Sequence, residues 1–255
     1  MKKLFVIANW MQGNGLSGGD RIFIELVKRW QLQLDITLFL SKEGSAICQR
    51  HELGNINQRV WASNFFSRWG YLVDILYRTL NSIINAFSVK TVAGDIIFSS
   101  SDFWPDSFPA LILKKINPKI TWIAGFYLFA PKPWQKNSPY YGKNFLTGFL
   151  YWIGQLPTYY IIRKYADIVF VTSQPDVDRF ITPIRSKESV IVIRGGVDTI
   201  LSKNYLNSNN FIPPDKRIYD ACFVGRFHYQ KGVLELIKIW KLVCLKNPQA
   251  HLAMI

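Results

Sequence analysis

Short apolar runs rich in Val, Ile and Phe recur along the chain at 4–8, 36–40, 95–99, 120–124, 168–172, 190–193 and 219–224, with longer stretches between them. Runs of this length without polar alternation suit strands buried on both faces. Strands separated by helices imply crossover connections and a mainly parallel sheet, an α/β fold. The intervening stretches carry apolar residues at helical spacing: Ile22, Phe23, Leu26, Val27 and Trp30 in one, and Val233, Leu236, Ile237, Trp240 and Val243 in another. Both stripes are expected to face cores.

The pattern breaks between 202 and 217. Asn204, Asn207, Ser208, Asn209 and Asn210 precede Pro213-Pro214, which reads as a linker. The expected division is therefore 1–211 for an N-terminal domain and 212–255 for a second one. Beyond the boundary lie one strand, one helix, the turn Asn247-Pro248 and the first residues of another strand. That is too little apolar surface for an independent core, so the second domain is expected to be incomplete and the chain a fragment.

Composition adds a charge. Of 255 residues, 31 are Lys or Arg and 17 are Asp or Glu, a formal net charge of +14, so the surface attracts polyanions such as nucleic acid, anionic lipid or phosphorylated ligands. Cys48, Cys222 and Cys244 lack metal-ligand spacing and read as buried free thiols in a reducing compartment. The apolar start is interrupted by Asn9 and followed by glycines without a cleavage site, which favours a first buried strand over a signal peptide.

Two strand-to-helix junctions carry candidate chemistry. After the first strand comes Gly13-Asn14-Gly15-Leu16-Ser17-Gly18-Gly19-Asp20, where Ser17 and Asp20 have the spacing of a capping box that opens a helix. Glycines let a ligand approach the free amides there, and the helix N-terminus favours a phosphate. Gly13 to Gly18 also match Gly-x-Gly-x-x-Gly, the dinucleotide pattern of an oxidoreductase. Four residues separate that match from the strand, however, and Leu40-Ser41-Lys42 stands where an acidic residue would be needed, with Glu43 slightly late. The second junction is Phe223-Val224-Gly225-Arg226-Phe227-His228-Tyr229-Gln230-Lys231-Gly232, a strand, a loop with two cations and a helix start. Arg226 can fork onto two phosphate oxygens and Lys231 adds a compact charge, which suits a departing diphosphate. Asp176-Val177-Asp178 has the form of a metal-binding Asp-x-Asp, but it follows Ser173-Gln174-Pro175 at a helix start, where acids favour the first turn.

Taken in order, the Gly18-Gly19 loop, Arg194-Gly195-Gly196-Val197-Asp198 and the Arg226–Lys231 loop resemble glycosyltransferase family 4 of the GT-B architecture. The resemblance implies a complete N-terminal Rossmann-like domain plus the start of a second one. It also implies transfer of a sugar from a nucleotide-sugar donor with retained anomeric configuration. Arg226, Lys231, Gly18 and Gly19 would lie at the donor diphosphate, with Gly15, Gly196 and Asp198 in support. No cofactor and no metal are expected. The chain departs from the family in lacking its histidine within 121–127 and in carrying Gly195 where asparagine is common. The family's glutamate pair would fall beyond Ile255. The acceptor-side catalytic residue is thus unassigned.

Residues 145–162 hold no charge, and 69–87 place Leu72, Ile75, Leu76, Leu80, Ile83 and Phe87 at helical spacing. Polar breaks at Thr147, Gly148, Gly154, Gln155, Pro157 and Thr158 argue for a helix lying in a membrane interface rather than a span. For 69–87, burial against the domain's own sheet is the equal alternative. With Lys114, Lys115, Lys119, Lys132, Lys136 and Lys143 nearby, the expected partners are a nucleotide-sugar donor, a glycan or lipid-linked acceptor and an anionic membrane surface, not nucleic acid. The expected place is the cytoplasmic face of a membrane. A non-catalytic half-enzyme needing a partner's donor domain is the alternative.

Overall fold

The computed structural model describes residues 2–13, 15–63, 65–195, 199–225, 227 and 231–255. The chain divides into two units, Met1–Lys132 with Leu146–Gly195 and Pro133–Phe145 with Gly196–Ile255.

In the first unit the apolar runs become parallel strands, joined by helices: β1 (Lys3–Ala8), α1 (Gly18–Trp30), β2 (Asp35–Ser41), α2 (Lys42–Arg50), β3 (Asn57–Ala62), α3 (Tyr71–Ala86), β4 (Ile96–Ser99), α4 (Trp104–Ile116), β5 (Thr121–Gly125), α5 (Phe145–Tyr165), β6 (Ile168–Val171) and β7 (Val190–Val192). They form one seven-stranded sheet in the order β3-β2-β1-β4-β5-β6-β7, every pairing parallel. Alternate residues of the same strands feed two cores. Leu4, Val6, Leu38, Leu40 and Phe98 pack with Phe23, Ile24 and Val27 of α1 and Ile47 and Cys48 of α2. Phe5, Ile7, Phe39, Ile97 and Trp122 pack on the other face with Ala110 and Leu113 of α4 and Ile162 of α5. Burial on both faces is why these strands read as continuous apolar runs.

The edge strand β3 has no such run. Its sequence, Asn-Gln-Arg-Val-Trp-Ala, buries only Trp61 and Ala62. Trp61 anchors it by stacking on Phe39 at 4.0 Å between ring centroids, and Phe39 stacks in turn on Phe5. Such pairs add about 0.5–1.5 kcal/mol each beyond area burial.

Of the two alternatives for 69–87, an outward apolar face and burial against the sheet, helix α3 takes mostly the first. Of the apolar stripe read from its sequence, Leu72, Leu76, Leu80 and, beyond the helix end, Phe87 are 49–64% exposed, Ile83 is half-buried and Ile75 is buried; Ile84, outside that stripe, is exposed as well. The inward face carries Asp74, Arg78, Thr79 and Ser82, beside Ile75 and Ala86. The reason is a buried ionic cluster beneath the loop that follows β1, described below.

In the second unit, α6 (Ile200–Leu206) precedes β8 (Ala221–Phe223), α7 (Val233–Lys246) and β9 (Leu252–Met254), and β8 pairs with β9 in parallel. The stripe of α7 is only partly covered: Val233, Leu236, Trp240 and Val243 are half-buried, and Ile237 is exposed. Two strands offer one helix too little surface to bury it fully. All three cysteines are free, but only Cys48 is buried, its thiol pushed up to about 12 by that burial and by the Asp20 charge; Cys222 is exposed and Cys244 half-buried. Among the described residues no helix is long and apolar enough to cross a membrane.

Candidate functional site

The strand order reverses between β1 and β4, and ligands of open parallel sheets bind in the crevice outside the carboxyl ends at that point. Three segments meet there: the loop from Asn9 to Ser17, the β4–α4 connection from Ser100 to Phe103, and the residues after β5.

The chain leaves β1 under tight control. The carboxylate of Asp106, 1% exposed on α4, accepts the backbone N–H groups of Asn9 at 2.6 Å and Trp10 at 3.1 Å on one oxygen. Its other oxygen accepts the hydroxyls of Ser101 at 2.5 Å and Ser100 at 3.2 Å. Burial pushes this carboxyl up to about 7, against the pull of those four donors. The Asn9 side-chain amide reaches the carbonyl of Pro105, the group that Pro109, lacking an N–H, leaves without its helical partner.

Arg78 holds the next residues. Its guanidinium, 1% exposed, donates from Nε to both oxygens of Asp74 at 3.1 Å and from the other nitrogens to the carbonyls of Asn9 and Met11 and to Glu43. Asp74 also accepts from Gln12 at 2.7 Å. A helix in this position must therefore present its polar face inward, which turns the leucines of α3 out. Asp74, Arg78 and Asp106 are not among the site residues read from the sequence, and Glu43 is read there only as an acid slightly late for a dinucleotide site. Their one signal there was Asp74 and Arg78, four residues apart in an otherwise apolar helix.

Among the sequence-predicted residues, Gly15, Gly18 and Gly19 lie in this loop and its helix start. The capping box at α1 forms as expected: Ser17 Oγ accepts from Asp20 N at 3.2 Å and Asp20 accepts from Ser17 N at 2.9 Å. Among the described residues no acceptor meets the N–H groups of Gly18 and Gly19, the first two of the helix. Around Gly15 and Gly18 a Cβ would find open space, whereas at Gly19 it would stand 3.0 Å from the ring of Tyr127. Tyr127 folds back over Gly125, where a Cβ would come within 2.7 Å of its hydroxyl. Its carbonyl accepts from Thr172 at 2.6 Å. Burial, then the charges of Asp102, Asp20 and Asp106, hold its phenol well above the usual range.

Three buried polar atoms at this crevice have no partner among the described residues: Asn9 Oδ1, Glu43 Oε2 and the Tyr127 hydroxyl. Such atoms are rare in a folded chain, and a bound ligand or an ordered water can supply the missing bonds.

The remaining predicted residues belong elsewhere. Lys231 is exposed in the second unit, followed by Gly232, whose φ of +68° caps α7 in a left-handed conformation that glycine adopts freely. Arg226, Gly196 and Asp198 lie outside the described residues. Asp176 sits in the first turn of the short 3-10 helix Gln174–Arg179, where the Ser173 hydroxyl donates to it at 2.5 Å and Arg179 lies 3.6 Å away, as the helix-start reading expected. At the end of β2, Ser41 Oγ donates to Met11 and accepts from Gly44, and Glu43 gives one oxygen to Arg78 while its other oxygen has no partner among the described residues.

No protein-family model matches the chain, and no curated protein matches it. Solved structures do. HepE of Anabaena in complex with UDP and glucose is 16% identical over 100% of this chain and 61% of its own, with a TM-score of 0.56. The OtsA apo structure is 14% identical over 99% and 64%, with a TM-score of 0.59. The UDP-N-acetylglucosamine 2-epimerase of Rickettsia bellii is 10% identical over 100% and 62%, with a TM-score of 0.55. The chain thus spans 61% to 64% of the length of these proteins. What it shares with them is the fold, α/β and GT-B-like with a parallel Rossmann-like sheet.

Proposed function

We propose that the chain is the N-terminal part of a family 4-like, retaining glycosyltransferase that moves a sugar from a nucleotide-sugar donor to a glycan or lipid-linked acceptor at a membrane surface. The observation that carries this reading is the crevice at the sheet's reversal point. It combines two open amides at Gly18 and Gly19 with the unpartnered Asn9 Oδ1 and Tyr127 hydroxyl, groups suited to a phosphate and to sugar hydroxyls.

In this reading residues 1–211 form the acceptor side and 212–255 begin the nucleotide-sugar-binding domain. Arg226 and Lys231 neutralise the donor diphosphate as the anomeric carbon leaves it for an acceptor oxygen. Gly15, Gly196 and Asp198 shape the loops around it. Neither metal nor cofactor is required, because the two cations supply the charge. The enzyme works at the cytoplasmic face of the membrane, held there peripherally by its basic and apolar surface. The likeness to HepE, solved with UDP and glucose, supports a uridine nucleotide as the first donor to try.

The test is turnover by the complete protein with a panel of nucleotide sugars and acceptors. Release of nucleoside diphosphate that depends on an acceptor supports the reading, and its absence across the panel overturns it. The likeness to a 2-epimerase favours a second reading, epimerisation of a nucleotide sugar without an acceptor. Incubation with UDP-N-acetylglucosamine alone, followed by NMR of the sugar ring, separates the two.

A further inference from the structure

Between α3 and α5, a cavity of about 390 Å³ opens beside the β4–α4 connection. That size falls in the range of about 300–1,000 Å³ usual for small-molecule sites. Its walls are Leu72, Ile75 and Leu76 from α3 and Leu150, Ile153 and Pro157 from α5, closed by the rings of Tyr71, Phe103, Trp104 and Tyr151. Asp102 and Gln155 are the polar side chains of the lining other than those rings, and they bond to each other at 2.8 Å. A free sugar would leave most of its hydroxyls unpaired on such walls.

The cavity adjoins the crevice. Trp10, the second residue after β1, stacks on Phe103 at 5.0 Å and meets Tyr71 edge-on at 5.6 Å, so one aromatic wall is shared. On the outer side, Leu72, Leu76, Leu150 and Ile153 are all 42–54% exposed and continue into the outward stripe of Leu80 and Ile84. Exposed apolar surface of this extent marks a contact.

Charge selects the kind of partner. Residues 54–94 hold one acid, Asp74, buried in its ion pair with Arg78, against the exposed Arg59, Arg68 and Lys90, and α5 holds no acid against the exposed Arg163 and Lys164. Exposed Arg68 and Lys90 bracket α3. Two copies of this face would repel each other, whereas an anionic bilayer complements it.

We propose that this cavity binds the hydrocarbon chain of a lipid-linked acceptor, taken from an anionic bilayer on which the outer faces of α3 and α5 rest. Asp102, held in place by Gln155, receives its polar head, next to the wall shared with the glycine loop. Only the word acceptor rests on the transferase reading; chain binding stands without it.

Straight-chain alcohols are the probes, with no nucleotide sugar present. On the complete protein, 1-octanol, 1-decanol and 1-dodecanol should displace the neutral dye Nile red saturably, each added methylene strengthening binding about fourfold until the cavity is full. Gly154→Phe projects a ring into open space at the cavity wall and should weaken dodecanol at least tenfold. Leu76→Asn, at a half-exposed wall position that a folded chain tolerates, should weaken it severalfold. Leu80→Glu, outside the lining, should leave dodecanol unchanged and abolish sedimentation with vesicles of 70% phosphatidylcholine and 30% phosphatidylglycerol. Unsaturable displacement, or affinity unaltered in both cavity variants, overturns the proposal. Probe binding without glycosyl transfer on any acceptor keeps the cavity assignment and removes the transferase reading. Transfer with no probe binding does the opposite.

Discussion

Replacing Asp106 tests whether the loop after β1 is held by one buried carboxylate. Asp106→Ala strands the N–H groups of Asn9 and Trp10, the former fully buried, and two serine hydroxyls lose an acceptor. A buried donor left unpaired costs about 1–3 kcal/mol, and the exposed-side hydroxyl finds water, so the expected loss is about 2–5 kcal/mol. Asp106→Asn keeps the oxygen that serves both backbone groups, and the serine hydroxyls can turn to accept from the new amide. Its cost should stay near 1 kcal/mol or below.

The pH dependence sharpens the comparison. Burial raises the Asp106 carboxyl to about 7 in the fold, above its ordinary value in the unfolded chain. Between about pH 4 and pH 7 the folded state therefore keeps a proton that the unfolded state releases. Its stabilising effect is complete at the acid end and is lost as pH rises through that window, at about 1.4 kcal/mol per pH unit. Asparagine does not titrate, so Asp106→Asn should gain on the parent at that slope as pH rises. Asp102, raised to about 6 by burial against the pull of Gln155, is common to both chains and cancels. Urea unfolding followed by tryptophan fluorescence at pH 4.5, 5.5 and 6.5 measures all three proteins. Equal losses for alanine and asparagine, or a parent-minus-asparagine difference that ignores pH, would refute the reasoning.

Other substitutions separate holding from binding. Arg78→Ala leaves Asp74 buried without its cation and should cost about 3–5 kcal/mol in the same urea assay. Gly18→Ala meets nothing and removes a helical glycine, so stability should rise by about 0.5–1 kcal/mol while UDP affinity by calorimetry falls. Gly19→Ala must displace the Tyr127 ring, and should lower both stability and UDP affinity. Lys231→Ala, at an exposed position, should leave the melting temperature unchanged and weaken UDP binding about tenfold or more, as loss of a charge-assisted contact of about 1.5–3 kcal/mol requires.

Six of the seven apolar runs became strands of the large sheet, where burial on two faces demands apolar residues, a signal that survives in sequence; the seventh became β8, a strand of the second unit with no fully buried residue. Strand β3 gave no such signal. At a sheet edge it buries Trp61 and Ala62 alone, so the polar Asn57, Gln58 and Arg59 leave no apolar run to read. The glycine loop and its capping box were legible because Ser17 and Asp20 act within one turn of chain. Asp106 was not, because it acts on Asn9 and Trp10 across 97 and 96 residues of separation. A carboxylate in the first turn of α4 looks like an ordinary response to the helix dipole until the fold brings β1 alongside.

Helix α3 ties these observations to the surface. A helix that packed its leucines on the sheet would leave Asn9 and Met11 carbonyls without the guanidinium that now serves them, and Gln12 without Asp74. Holding the loop in place therefore requires the polar face inward, and the same rotation exposes Leu72, Leu76, Leu80 and Ile84 to whatever lies outside. The unfolded chain exposes the same leucines, so their exposure costs folding little, whereas apolar surface covered by a partner contributes about 25 cal/mol for each Å². Replacement of Leu80 by a polar residue should consequently leave stability in buffer within about 0.5 kcal/mol of the parent and, on the proposed membrane reading, detach the protein from lipid. A loss of several kcal/mol would show instead that the stripe is packed within the fold.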